Sequence, residues 1–434
     1  GSPGHRTRAM WKCQRVLYLF LAGPGRFRQW IPLLFAAVTV AAGQPGAAAQ
    51  AAGGAPHPAS EDAHPQRRVS ADAELFTRFR AFGFGAEKRP SQMHVIHRTR
   101  VNLVLRPSPR LSFHLRGEDA REYVAVGAAP HSNAGELSLA YADLRVGRNW
   151  TLRGGRQELS FGDERLVGND TEWCQIGQRF DAIRLSWKRR RLRVDAFTSS
   201  PVAVRRSGWD RPASGIAFHG LYVNWTGIGG ATVTDAYVFW KARRSGDLPG
   251  RRATVGFRHV RRLTRRWQTA LELALQWGRE GARPVRAWAG HWEASVTLAG
   301  NRATPRFVVE YNAASGDDPH TGAVERFDDL YPAGHDAFAL PDPVPWSDMQ
   351  TLGVTAEQVA REWSFAAGAR SIWRAPGAPR RHLGWQVSGL AAREITAGWQ
   401  IVCSYSRLAR RAAAYYGGPV YALSGGIRLR LGGR

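Results

Sequence analysis

From Glu74 onward almost no segment carries a helical period; stretches of roughly ten residues instead alternate apolar and polar side chains. In "HVIHRTRVNLVLR" (94–106), Val95, Thr99, Val101, Leu103 and Leu105 share one face, and Arg98, Arg100 and Asn102 share the other. In "RWQTALELALQWG" (266–278), Trp267, Leu271, Leu273, Leu275 and Trp277 oppose Gln268, Glu272 and Gln276. "REWSFAAGARSIWR" (361–374) repeats the pattern, with Trp363, Phe365 and Trp373 against Ser364, Arg370 and Arg374. Successive side chains of a strand point to opposite faces, so each stretch has one apolar and one polar side. Eighteen such strands can be drawn between 74–85 and 419–431. A tilted strand crosses a bilayer in about 9–11 residues, and most of them fit. Apolar faces tend to end in aromatics, as at Trp187, Trp225, Trp240, Trp267, Trp277 and Trp399, which suits a membrane–water boundary. The expected fold is therefore all-β: a transmembrane antiparallel β-barrel of about 18 strands. A soluble propeller would also alternate, but it would repeat every 40–50 residues or so, and no such repeat is present.

The front of the chain points the same way. Six basic residues from Arg6 to Arg28 precede the apolar run "WIPLLFAAVTVAAG" (30–43), and "GAAAQ" (46–50) follows. A basic front, a short apolar core and an A-x-A site read as a secretory signal over 1–49. Residues 50–72 are Ala, Gly, Pro and charge and read as a flexible periplasmic linker, leaving 73–431 for the barrel. Cys13 falls in the signal segment; Cys174 and Cys403 are two thiols or one disulfide, and neither belongs to a metal motif. The formal charge is +26, and 57 of 61 basic residues are arginine, lysine occurring only at 12, 88, 188 and 241. Arginine keeps its charge almost anywhere and grips carboxylates and phosphates with a planar fork, so a polyanionic partner fits. Nucleic acid would suit the charge as well, but the arginines are spread through alternating strands and an export signal precedes them.

Strand parity sends Arg98, Arg100, Arg116, Arg153, Arg184, Arg193, Arg258, Arg370, Arg428 and Arg430 toward the barrel interior. They line a basic conduit, or else they pair with interior acids such as Glu118, Asp195, Glu272, Glu310 and Glu357 and fill a plugged barrel. Arg156 breaks the pattern, since alternation from Leu152 aims it at lipid; a β-bulge at Gly154–Gly155 would turn it inward. Two long segments, 158–179 and 315–349, exceed ordinary turns and join odd strands to even ones, so both belong to the extracellular rim or fold into the lumen. The first contains Asp163, Glu164, Asp170 and Glu172, expected to ion-pair with Arg165 and Arg179. Asp317, Asp318, Asp328 and Asp329 in the second could bind calcium through oxygen ligands, although no EF-hand spacing is present. Nothing marks two carboxylates as a glycosidase pair. His94 and His97, three apart on a strand, face opposite sides, and "GFGAEK" (83–88) lacks a strand–helix context for phosphate binding.

At this point the residues resemble a family. "GRQELSFGDERL" (155–166) followed by "GQRFDAIRL" (177–185) is similar to the signature of the alginate-export family of outer-membrane porins. "ASGDDP" (314–319), "FDDLYPAGH" (327–335) and Trp346 resemble its second block, in the expected order. The resemblance covers 73–431. It implies an eighteen-stranded barrel in the outer membrane of a Gram-negative bacterium. Its basic, water-filled pore would conduct anionic polysaccharide or other anions, with no catalytic residues and no cofactor. Arg98, Arg100, Arg116, Arg153, Arg156, Arg184, Arg193, Arg258, Arg370 and Arg428 are the candidate pore-lining residues. Expected partners are the polysaccharide or small anions, outer-membrane lipid and periplasmic secretion components, around a monomer. The sequence departs from the family at Cys174 and at its end, "IRLRLGGR", which lacks a terminal aromatic. The competing readings are a secreted all-β carbohydrate-active enzyme and a plugged structural barrel.

Overall fold

The structure, a computed structural model, describes residues 68–83, 91–126, 133–169, 176–205, 209–244, 249–298, 305–333, 344–375, 381–396 and 398–432. The expected signal segment, most of the linker, Asp170, Glu172 and Cys174 lie outside the described residues.

Eighteen long antiparallel strands form one closed sheet. They are β1 (Val69–Gly83), β2 (Gln92–Ser108), β3 (Leu111–Val126), β4 (Asn133–Val146), β5 (Trp150–Gln157) and β6 (Phe180–Arg189). Next come β7 (Leu192–Ala203), β8 (Ile216–Thr226), β9 (Thr232–Arg243), β10 (Gly250–Arg262), β11 (Trp267–Glu280) and β12 (Arg283–Thr297). The last are β13 (Arg306–Ala314), β14 (Met349–Ala360), β15 (Trp363–Trp373), β16 (His382–Thr396), β17 (Trp399–Leu408) and β18 (Tyr421–Gly432). Each pairs with its sequence neighbours, and β1 pairs with β18 from Asp72↔Gly432 to Gly83↔Tyr421, which closes the barrel. A two-residue strand, Arg211–Pro212, adds to the end of β7, and a short helix α1 (Arg410–Tyr416) sits between β17 and β18. β1 starts at Val69, so 69–72 of the expected linker are strand.

The expected parity holds in the register. Leu273 and Phe365 are exposed on the outer face, while Arg100, Glu272 and Arg370 are buried on the inner one. Outer tryptophans gather at the two strand ends. Trp150, Trp225, Trp267 and Trp363 stand next to the short connections, and Trp240, Trp277, Trp288 and Trp385 near the opposite rim. Trp267 and Trp277 bound the apolar face of β11. Ten residue steps at about 3.3 Å each, tilted by about 40°, give roughly 25 Å along the barrel axis, the height of an outer-membrane apolar band. Short connections such as 147–149, 190–191 and 361–362 occupy one rim; 158–179 and 315–348 start from the other. In such barrels the short turns are periplasmic.

Candidate functional site: the lumen and its two inserted loops

Both long loops turn into the barrel and meet there. Val167 and Tyr331 form a parallel bridge. Gly168 N–H donates to the Tyr331 carbonyl (2.9 Å), Tyr331 N–H to Leu166 (2.9 Å) and Ala333 N–H to Glu164 (3.0 Å). The second loop also pairs with the wall, through a parallel bridge between Val324 and Val285 of β12. Inward-facing strand residues supply the socket. Phe180, Phe197, Phe218, Tyr222, Tyr237 and Phe239, on β6 to β9, all point inward and are buried. Phe161 stacks on Tyr222 (4.6 Å between ring centroids) and Phe197 (5.6 Å), and Tyr331 packs edge-on to Phe218 (4.9 Å) and Phe180 (5.2 Å). Gly220 makes room: a Cβ there would run into the Phe197 and Phe239 rings. These aromatics were legible in one respect, since Phe180 shares the parity of Arg184, and Tyr237 and Phe239 share that of Asp235.

Charge then fixes the first loop. Arg165 is buried, donates to Asp163 (2.9 Å), lies 4.0 Å from Glu272 of β11 and is 3.0 Å from His291 Nε2 of β12. Arg258 of β10 stands 3.6 Å from the same Asp163. Burial alone would push Asp163 up, but the guanidinium groups of Arg165 and Arg258 hold it well below the usual carboxylate range. Glu164 accepts from the Ser160 hydroxyl and from the Asn169 N–H (3.0 Å). The expected pair between Asp163 and Arg165 is therefore present, whereas Arg179 turns elsewhere. It meets Glu136 of β4, Asp210 (3.5 Å) and Glu118 of β3 (3.9 Å) in a buried cluster that Arg100 joins through Glu118. Glu136 and Asp210 were not singled out in the sequence, because nothing local to either connects it to Arg179.

Every arginine expected along the lumen has a carboxylate neighbour. Arg98 meets Glu74 (2.7 Å), Arg100 meets Glu118, Arg116 meets Glu158 (2.6 Å) and Arg153 meets Asp143 (2.7 Å). Arg184 and Arg193 share Asp195 (2.9 and 2.7 Å), and Arg258 meets Asp235 (2.9 Å). Arg428 and Arg430 reach the Glu74 already held by Arg98 (3.7 and 3.6 Å). Arg370 of β15 crosses to Glu310 of β13 (3.2 Å) over Gly353 of the intervening β14, where a Cβ would crowd both side chains at 3.2 Å. The guanidinium groups of Arg78, Arg98 and Arg428 lie 5.3, 5.4 and 4.8 Å from the Phe76 ring centre.

Arg156 departs from expectation. The register of β5 runs unbroken through Gly154–Gly155 on both sides, so no bulge turns the chain there. Arg156 keeps the parity of Leu152 and is held at the strand end by Asp181 opposite (2.8 and 3.0 Å) and the Asp210 carbonyl (3.0 Å). Pairing removes the need for a bulge: the charge is satisfied by its cross-strand neighbour near the rim. The irregularity lies one strand away, where β4 slips against β3 between Leu137 and Leu139.

The four acids considered for calcium have separate tasks. Asp317 accepts from Glu325 N–H (2.7 Å) and Arg326 N–H (3.0 Å), and Asp318 from His320 N–H (2.9 Å). Asp328 binds Lys241 (2.9 Å), whose ammonium also sits over the Tyr331 ring. Asp329 is pushed up to about 6 by burial and by the adjacent Asp328. Among the described residues no three acids, histidines or cysteines converge as metal ligands would.

The barrel is similar to solved structures of outer-membrane porins. OccAB3 of Acinetobacter baumannii aligns with a TM-score of 0.61 at 8% identity, over 84% of this chain and 99% of that one. OccK2 (OpdF) of Pseudomonas aeruginosa, solved in complex with glucuronate, aligns at 0.60 and 11% identity, over 84% and 98%. OccK11 (OpdR) of the same organism gives 0.59 and 13%, over 84% and 96%. At such identities the likeness speaks for the fold alone. No curated protein sequence matches the chain. The family model described as alginate export matches residues 71–389, which takes in both inserted loops and most of the barrel wall, and the chain belongs to that family.

Proposed function

We propose that the protein is an outer-membrane channel whose arginine-rich lumen conducts anionic polysaccharide of the alginate type, or smaller anionic solutes. The observation that carries this reading is the sharing of carboxylates. Glu74 alone serves Arg98, Arg428 and Arg430, and Asp195 serves Arg184 and Arg193, so these stretches of wall keep more guanidinium than carboxylate. Unit charges interact by only about 1 kcal/mol at 4 Å in water and about 4 at an effective dielectric of 20. Low-dielectric walls nevertheless focus their sum into a potential along the lumen. A polyanion passed between several shared forks conducts better than one held at a single tight site. The uronate in the OccK2 complex belongs to the same chemical class as an alginate unit.

Reversal potentials under a salt gradient across a planar bilayer test the reading. Anion preference is expected, falling as salt rises because screening acts over about 8 Å at physiological ionic strength. Replacing Arg98, Arg100 and Arg370 together with Ala should lower it. A cation-selective channel would overturn the reading. A second reading, a plugged structural barrel, draws support from the extensive pairing of the interior and from the two loops packed in it. It predicts closed bilayers with no unitary current.

A further inference from the structure

The short-turn rim carries an uneven charge. The turn joining β6 to β7 reads Lys-Arg-Arg-Arg over 188–191, and the one joining β10 to β11 has arginine pairs at 261–262 and 265–266. Arg145 precedes the turn at 147–149, and Arg148 lies within it. All of these side chains are exposed, and none of the three segments contains an acid. On the other side of the same rim, Arg361 is followed by Glu362, which lies 3.7 Å from Arg393. On the long-loop rim, Arg121 is paired with Asp119 (2.9 Å) and Arg243 with Glu280 (3.0 Å).

The arc leads inward: Arg193, half-exposed at the mouth, shares Asp195 with the buried Arg184. Neighbouring hairpins are spaced by two strands, about 12 Å along the rim at a tilt of about 40°. The three turns therefore span roughly 36 Å of the rim, with the uncharged turn 227–231 between the second and the third.

Resting on the channel reading above, we propose that this arc is a capture surface for a polyanion, an extended polyuronate chain, at the short-turn mouth, so that the polymer enters the lumen from the periplasmic side. Electrostatic steering raises association rates by about 10–1,000-fold and is lost with salt.

The test uses the full-length protein in neutral phosphatidylcholine bilayers, with alginate oligosaccharide as blocker. Biotin on a cysteine at Ile228→Cys, in the uncharged exposed turn, lets streptavidin report which chamber the short turns face. The blocking on-rate should be at least about tenfold higher from the short-turn side at low salt, and this asymmetry should fade as salt rises. Replacing Arg148, Arg189, Arg190, Arg191, Arg265 and Arg266 with Gln should abolish the asymmetry and leave the reversal potential in simple salt unchanged. The partial sets R189Q/R190Q/R191Q and R265Q/R266Q should each remove part of it, which guards against misfolding of the full set. Asymmetry retained in the six-site variant, or asymmetry lost only in anionic-lipid bilayers, overturns the capture surface and leaves the channel standing. A wild-type channel that oligouronate blocks from neither side overturns the channel reading and this proposal together.

Discussion

Between Phe161 and Asp163 lie the two kinds of force that hold 158–169 inside the barrel. Phe161 is buried among four aromatic rings or guanidinium faces, and truncating such a side chain to Ala costs about 3–5 kcal/mol. Phe161→Ala should therefore release the loop, raise open-channel noise and expose 158–169 to protease. Asp163→Asn should do the same to a smaller degree, since Arg165 keeps Glu272 and His291 as neighbours. The two loops should respond oppositely to acid. Asp163 has a depressed pKa, so its contribution is present above the ordinary carboxylate range and is lost only as pH falls below it. Asp329 has a raised one, about 6, so the folded loop binds its proton more tightly than the free chain does. Docking of 315–333 should weaken as pH rises from about 4 to 6. Channel noise measured over that window should rise with pH, and Asp329→Asn should flatten the curve.

At the level of elements, all eighteen strands were legible because a half-lipid, half-lumen wall writes a two-residue period directly into the sequence. β7 runs on to Ala203 beyond the expected 191–198, β16 to Thr396 beyond the expected 382–391, and β1 starts at Val69 ahead of the expected 74–85, all where the alternation thins out at the rims. The inserted loops were recognisable as long and charged, but not as partners of each other. Val167 and Tyr331 are joined by a parallel bridge between segments far apart in the chain, and no local pattern encodes it. Arg156 was misjudged for a related reason: parity could say which face it takes, but not that Asp181 stands opposite to satisfy it. If the loops behave as one unit, the amides of Gly168, Tyr331 and Ala333 should exchange hydrogen at a common rate. Phe161→Ala should accelerate all three, and acceleration of Gly168 alone would mean that the loops open separately.

For the whole molecule, the wall divides the chain's chemistry between two solvents. Cysteines introduced at Leu273 and Phe365 should resist a water-soluble thiol reagent in membranes, and those at Arg100, Glu272 and Arg370 should differ from them measurably. Equal labelling of both sets would contradict the register. The interior was harder to read than the exterior. Lipid imposes one rule on every outward side chain, whereas an inward arginine can line water, stack on Phe76 or clasp an acid, and only three-dimensional neighbours decide which. Asp195 and Glu118 were individually visible as candidate partners and Glu74 was not singled out, while the sharing of each among two or three arginines was not legible.

The seam between β1 and β18 has a consequence for biogenesis. Its twelve paired positions join the first strand of the barrel to the last, from Asp72↔Gly432 to Gly83↔Tyr421. Loop-closure entropy must be met before so distant a contact returns anything, which makes it the slowest kind of pairing to form. Until β18 has been delivered, β1 and the growing end are both open edges able to template on other chains. A polypeptide of this design has no stable halfway house. It must travel unpaired and protected to its destination, and then zip shut in a single assembly event whose final stitch brings the last strand of the barrel to the first.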